Sequence, residues 1–122
     1  MATVLVTSVL DTTAEKKKEL FHNVSEALSA TFPKYSLYYE SADPACVAGY
    51  AKHQVNIIIC VPPYMDIERK RTVNRDLHAA VVKTYGELEK FSVIVLFKYH
   101  PDDCCGVDGI LRADAKAAAA AR

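Results

Sequence analysis

The chain repeats itself at a spacing of 53 residues. Val4-Leu5-Val6 falls on Ile57-Ile58-Ile59, and without a gap Glu15-Lys16-Lys17-Lys18 falls on Glu68-Arg69-Lys70-Arg71. Leu20, Val24, Ala27 and Leu28 fall on Val73, Leu77, Ala80 and Val81. Phe32 falls on Tyr85, and the breaker Pro33 on the breaker Gly86. The match is of residue class more than identity. One strand–helix unit is used twice, and neither copy can cover its own apolar strand, so the two are expected to share one sheet.

The elements follow from periodicity. Thr3 to Leu10 is β-branched and apolar on both faces, as in a central strand. Thr12 and Glu15 stand at capping-box spacing ahead of a helix whose stripe is Leu20, Phe21, Val24, Ala27, Leu28 and Phe32. Tyr35 to Glu40 reads as a second strand, and 41–54 as a loop with a short helical turn. Val55 to Val61 is the most apolar strand. Asp66 caps a second helix with the stripe Val73, Leu77, Ala80, Val81 and Tyr85, closed by Gly86. Phe91 to Tyr99 is the fourth strand. Asp108-Gly109 is a strong turn signal inside a short terminal ribbon. Residues 113–122 form an Ala-rich tail that favours helix but is marginal alone, and the sequence gives it no function.

These elements predict an α+β fold: duplicated β-α-β units, about 2–40 and 55–99, forming a four-stranded sheet with two helices on one face and a short C-terminal ribbon. Residues 1–112 make one domain. Strands one and three are expected to be central, adjacent and parallel, related by a pseudo-twofold. Strands two and four then lie outside, each parallel to the first strand of its own unit. A ferredoxin-like sheet with strand order 4-1-3-2 has the same element order.

Composition narrows the function classes. Fifteen Lys plus Arg balance fifteen Asp plus Glu, which argues against a nucleic-acid partner. The longest apolar run, Ile57 to Pro63, is too short to span a bilayer, and the N-terminus lacks a secretory pattern. A cytoplasmic protein with no membrane partner and four reduced cysteines is expected. Cys60, inside the apolar strand, reads as a buried thiol. The adjacent Cys104 and Cys105 could hold a reactive thiol if a positive group lowers its pKa. His100 and Cys104 suggest a metal pair whose third ligand would have to be Asp102 or Asp103; a plain turn thiol is the reading taken, with no metal expected, and no cofactor is expected. His78 adjoins an apolar stripe and reads as partly buried. Lys16-Lys17-Lys18 and Arg69-Lys70-Arg71 read as solvated faces, though cations sit poorly at a helix N-terminus.

Duplicated βαβ units followed by a Gly-containing ribbon resemble the tautomerase superfamily, which includes 4-oxalocrotonate tautomerase and macrophage migration inhibitory factor. Thr12 to Leu20 looks like the start of the first helix in that group. Ser41-Ala42-Asp43-Pro44-Ala45-Cys46 looks like a segment of its inhibitory-factor branch. Gly106-Val107-Asp108-Gly109 sits where the family places its trimer-forming ribbon. The resemblance implies a homotrimer and an isomerase reaction, proton transfer α to the carbonyl of a small keto-acid.

The family's base is an N-terminal proline exposed by removal of the initiator Met. This chain begins Met1-Ala2. Ala2 matches the position as the catalytic candidate, but its amine would be primary, with an ordinary pKa of about 7.7–8.0. If Met1 is retained, that nitrogen is an amide. Activity is therefore expected to be weak or lost. The resemblance also implies that Lys34, between helix and strand, holds the substrate carboxylate. A solvated loop lysine is the plainer reading. Tyr99 and His100 end the fourth strand, where pockets open in such sheets, and are the other substrate-binding candidates. The rival function is a non-catalytic ferredoxin-like module that oligomerises or binds a small ligand.

Overall fold

The computed structural model describes residues 2–10, 13–86 and 92–121. The first unit is β1 (Ala2–Ser8), α1 (Ala14–Ser29) and β2 (Tyr35–Ser41). The second is β3 (Gln54–Val61), α2 (Ile67–Tyr85) and β4 (Ser92–Tyr99). A ribbon, β5 (Gly106–Val107) and β6 (Ile110–Leu111), leads into α3 (Arg112–Ala120). Short 3-10 turns occupy Pro44–Cys46, Gly49–His53 and Asp102–Cys104.

The sheet order is β2-β1-β3-β4, with β2 parallel to β1 and β4 parallel to β3. The ferredoxin-like order is thereby excluded. One expectation is corrected: β1 and β3 are antiparallel. Their register gives the reason. Leu5 lies opposite Ile58, its own counterpart in the repeat, and Val4 and Val6 lie opposite Ile59 and Ile57. A twofold axis through the Leu5–Ile58 pair, perpendicular to the sheet, exchanges the units and reverses strand direction while keeping both helices on one face. A parallel pair could not have this symmetry. The repeat is not complete, because Ala2 pairs with Tyr35 whereas its counterpart Val55 pairs with Val93. The second helix-to-strand connection is the longer one.

Alternation along the strands divides the sheet into two faces. Val4, Val6, Val55, Ile57, Ile59 and Val61 are buried against the helices. They meet Leu20, Val24 and Leu28 of α1 and Val73, Leu77 and Val81 of α2 in one core. The other face carries Leu5, Ile58, Tyr38 and Leu96, and Tyr38 and Leu96 are 59% and 47% exposed. Among the described residues no helix is long and apolar enough to cross a membrane.

Helix ends explain the repeated basic clusters. Lys16 of α1 donates from Nζ to the carbonyl of Thr84 in the last turn of α2, at 2.9 Å. Its counterpart Arg69 donates from Nη2 to the carbonyl of Thr31, the counterpart of Thr84, at 3.1 Å. Each helix thus places a first-turn cation on the carbonyl end of its antiparallel neighbour. That favourable contact offsets the poor placement at its own N-terminus. The clusters are a mutual cap rather than solvated faces alone.

Thr13 caps α1 by accepting from the N–H of Lys16, one residue beyond the expected Thr12. Thr12, like Phe91 at the expected start of β4, lies outside the described residues. Asp66 caps α2 as expected, accepting from the N–H of Arg69 at 2.8 Å, and Gly86 closes it with φ 76°. Asp108 and Gly109 take φ 52° and 84°. Positive φ at both centres is what a tight two-residue hairpin turn requires. His78 is exposed rather than partly buried, and Cys60 is half-buried on the open face.

A buried polar link joins the two helices. Asn23 Nδ2 donates to Thr84 Oγ1 at 2.9 Å, and Thr84 Oγ1 donates to the carbonyl of Ala80 at 2.8 Å. Thr84→Val should lower stability by about 1–3 kcal/mol, because it leaves the buried Asn23 amide unpaired. The double variant Asn23→Leu/Thr84→Val should lose less than the sum of its singles. Urea midpoints of the four proteins measure this. A Thr84→Val midpoint equal to that of the parent would show that the link contributes nothing.

Candidate functional site

The antiparallel centre puts the start of β1 beside the end of β3. Parallel pairing then brings in the start of β2 and the end of β4. Ala2, Lys34, Tyr99 and His100 therefore gather at one end of the sheet. Ala2 is 0% exposed and lies on the helix-facing side. Its N–H donates to the carbonyl of Lys34 at 3.2 Å, extending the β1–β2 ladder by one bond. The Lys34 side chain stands exposed in the connection before β2.

Tyr99 lies opposite Val61, at the helix-facing edge, and is 48% exposed. Its hydroxyl accepts a hydrogen bond from Lys70 Nζ, and the same ammonium sits 4.5 Å from the ring centroid. Lys70 thus holds Tyr99 by its oxygen and by a cation–π contact. Sequence reasoning missed Lys70 because its basic cluster was read as solvent-facing. The available signal was its place in the first turn of α2, at the end of the sheet where Tyr99 stops.

His100 goes elsewhere. Its N–H donates to the carbonyl of Val61 at 2.8 Å, and it helps line a cavity of about 320 Å³. Thr3, Cys60, Pro62, Cys105 and Arg112 also line this cavity. Thr3 and Cys60 belong to the open face of the sheet. The C-terminal segment forms the facing wall. Ala2, Lys34 and Tyr99 are absent from this lining, so the four expected residues share a sheet end but not a cavity.

The wall is held by charge. Lys116 Nζ lies 2.7 Å from Asp102 Oδ2, Arg112 Nε lies 3.8 Å from Asp102 Oδ1, and Lys116 sits 5.4 Å above the Tyr64 ring. The hydrogen bond to Asp102 holds the Lys116 ammonium above its ordinary pKa of 10.5. The Ala-rich segment is therefore a helix tied to the body. At Cys104 the condition for a reactive thiol, a positive group that lowers its pKa, is not met. The thiol contacts the Asp103 carboxylate at 3.4 Å, and this hydrogen bond and the negative charge push its pKa above 9.0. Among the described residues no three His, Cys, Asp or Glu side chains could together hold a metal ion.

No protein-family model matches the chain, and no curated protein does. Solved structures do match its fold. A wild-type fused 4-OT, an asymmetric trimer, aligns with a TM-score of 0.80 and 14% identity over 93% of this chain and 98% of that one. Pt0534 inactivated by 2-oxo-3-pentynoate aligns at 0.79 and 17% identity over 93% and 98%. Malonate semialdehyde decarboxylase aligns at 0.72 and 15% identity over 95% and 98%. The chain has the tautomerase-superfamily fold. At these identities the tautomerase likeness is one of backbone, and the side chains of the site must speak for themselves.

On this tautomerase fold Cys104 should react slowly with neutral alkylating reagents near pH 7, because the thiolate is the nucleophile and Asp103 disfavours it. Asp103→Asn should speed its modification, with the apparent pKa of the reaction moving down. Iodoacetamide rates at Cys104 across pH 7–10, read by fragment mass spectrometry, measure this. An unchanged pH profile would show that Asp103 does not control the thiol.

Proposed function

We propose that this chain is a homotrimeric tautomerase-like protein acting by proton transfer on small keto-acids, with activity weakened because Ala2 replaces proline. The observation that carries the reading is the placement of the Ala2 nitrogen. It lies at the start of the central strand, bonded to the Lys34 carbonyl, at the sheet end that Tyr99 also reaches. Among proteins of this fold, Pt0534 is inactivated by 2-oxo-3-pentynoate, and malonate semialdehyde decarboxylase is named for an oxo-acid.

With Met1 removed, Ala2 would carry a free primary amine. Its lone pair would take the α-proton of a bound keto-acid and return it to the resulting enolate at a different atom. Burial disfavours the ammonium and favours the base, while donation to the Lys34 carbonyl favours the ammonium. The two effects oppose each other, so the amine is a poorer base than a strongly depressed one. The Lys34 ammonium would hold the substrate carboxylate, and Tyr99, held by Lys70, would line the pocket.

The trimer has two supports. The exposed face with Leu5, Tyr38, Ile58 and Leu96 leaves apolar area that three copies could cover. The fused 4-OT neighbour is itself a trimer. A cytoplasmic setting fits the four free cysteines. A second reading, a non-catalytic ligand-binding oligomer, is favoured by the 0% exposure of Ala2.

Phenylpyruvate ketonisation by the protein with Met1 removed tests the base. The Ala2 form should be slow, and Ala2→Pro should be faster by about tenfold or more, bounded above by the roughly 10²–10⁴-fold that a positioned proton carrier supplies in all. Robust activity that persists unchanged with Met1 retained would overturn the role of Ala2. Lys34→Ala should weaken keto-acid binding by about 1.5–3 kcal/mol while leaving a neutral analogue of equal shape and the thermal midpoint unaffected. Equal keto-acid affinity in the two proteins by calorimetry would remove Lys34 from the site and favour the non-catalytic reading.

A further inference from the structure

We infer that the cavity between the open face of the sheet and the C-terminal segment is a second site, which takes a small carboxylate held by Arg112. It uses none of Ala2, Lys34 or Tyr99, so it stands or falls apart from the reaction proposed above.

The volume of about 320 Å³ is enough for a small organic ligand. Its wall is mixed: Val61 and Pro62 are apolar, Thr3, His100 and three thiols are polar, and Arg112 is its one guanidinium. Arg112 is largely shielded, with its side chain 27% exposed. Its contact with Asp102 runs through Nε at 3.8 Å, longer than a hydrogen bond. The stronger partner of Asp102 is Lys116 at 2.7 Å. One carboxylate therefore faces two cations, and the positive charge left over sits on the cavity wall.

Helix stability does not explain Arg112 either. It is the first residue of α3, where a cation opposes the helix dipole, and Leu111 ahead of it supplies no side-chain cap. A planar guanidinium beside a shielded, partly apolar space suits a carboxylate, which it can grip with two N–H donors. Of the neighbouring acidic side chains, Asp102 is already held by Lys116, and Asp103 accepts from Cys104. Neither lines the cavity.

The half-buried Cys60 on the same wall is a built-in reporter. Iodoacetate carries the proposed ligand group, and iodoacetamide is its neutral counterpart. In both reactions the Cys60 sulfur forms a bond to the reagent's methylene carbon, iodide leaves, and the thiol proton passes to solvent. In the full chain the iodoacetate-to-iodoacetamide rate ratio at Cys60, read by peptide mass, should fall by about two- to fivefold in Arg112→Met, the factor expected of one partly exposed charge pair. Arg112→Lys should keep most of the ratio. Acetate in excess should slow iodoacetate in the parent and not in Arg112→Met. A general loosening of α3 would raise both rates together and leave the ratio alone. An unchanged ratio in Arg112→Met would overturn the assignment. So would a Cys60 inert to both reagents, since the cavity would then be closed in the assembled protein.

Discussion

The antiparallel pairing of β1 with β3 about Leu5 and Ile58 is the contact on which the rest of the molecule depends. It makes the helices of the two units antiparallel, and that lets Lys16 reach the carbonyl end of α2 while Arg69 reaches the carbonyl end of α1. Coulomb attraction to a helix C-terminus is modest, about 0.3–1 kcal/mol at an exposed site. Two such contacts, the Asn23–Thr84 bond and the shared apolar layer nevertheless all require the same relative placement. Agreement among independent contacts of this kind is how a sequence selects one arrangement over its alternatives.

The same axis makes the two ends of the sheet nearly equivalent, so the position of a site has to come from what breaks the symmetry. Ala2 has Val55 as its counterpart, and Val55 is an interior residue whose nitrogen is an amide in every form of the chain. The base proposed at Ala2 therefore has no counterpart in the second unit. The C-terminal segment breaks the symmetry again. It follows β4 and folds onto the end where β1 begins, and there it creates a cavity that His100, Cys60 and Arg112 line together. Both candidate sites consequently lie at one end, on opposite faces of one strand: Ala2 points to the helices and Thr3 to the open face.

Much of the fold was legible in the sequence. The ungapped repeat located both units, the stripes located the buried faces, and the turn at Asp108-Gly109 located the ribbon. Strand direction was not legible, because an apolar alternation of period two reads the same in a parallel and in an antiparallel partner. It could have been worked out from the symmetry, since a twofold that keeps both helices on one face must reverse the central strands. The site was less legible. Lys34 and Tyr99 could be placed by element, but Lys70 reaches Tyr99 only through tertiary packing, and Asp103 acts on Cys104 through a local turn that composition does not specify.

The Ala-rich helix shows how a weak element becomes a structural wall. Nine residues of mostly alanine have good intrinsic propensity but cannot repay the cost of nucleation in water. Asp102 supplies what is missing by holding Lys116 and lying close to Arg112, with Lys116 also over Tyr64. The pKa of Lys116 is raised above its ordinary value by this contact, so the lysine's share of the tether is present below 10.5 and is lost as pH rises through the elevated value. Across the physiological range the wall keeps its charge. Asp102 is shared between Lys116 at 2.7 Å and Arg112 at 3.8 Å, and Arg112 is the guanidinium that lines the cavity.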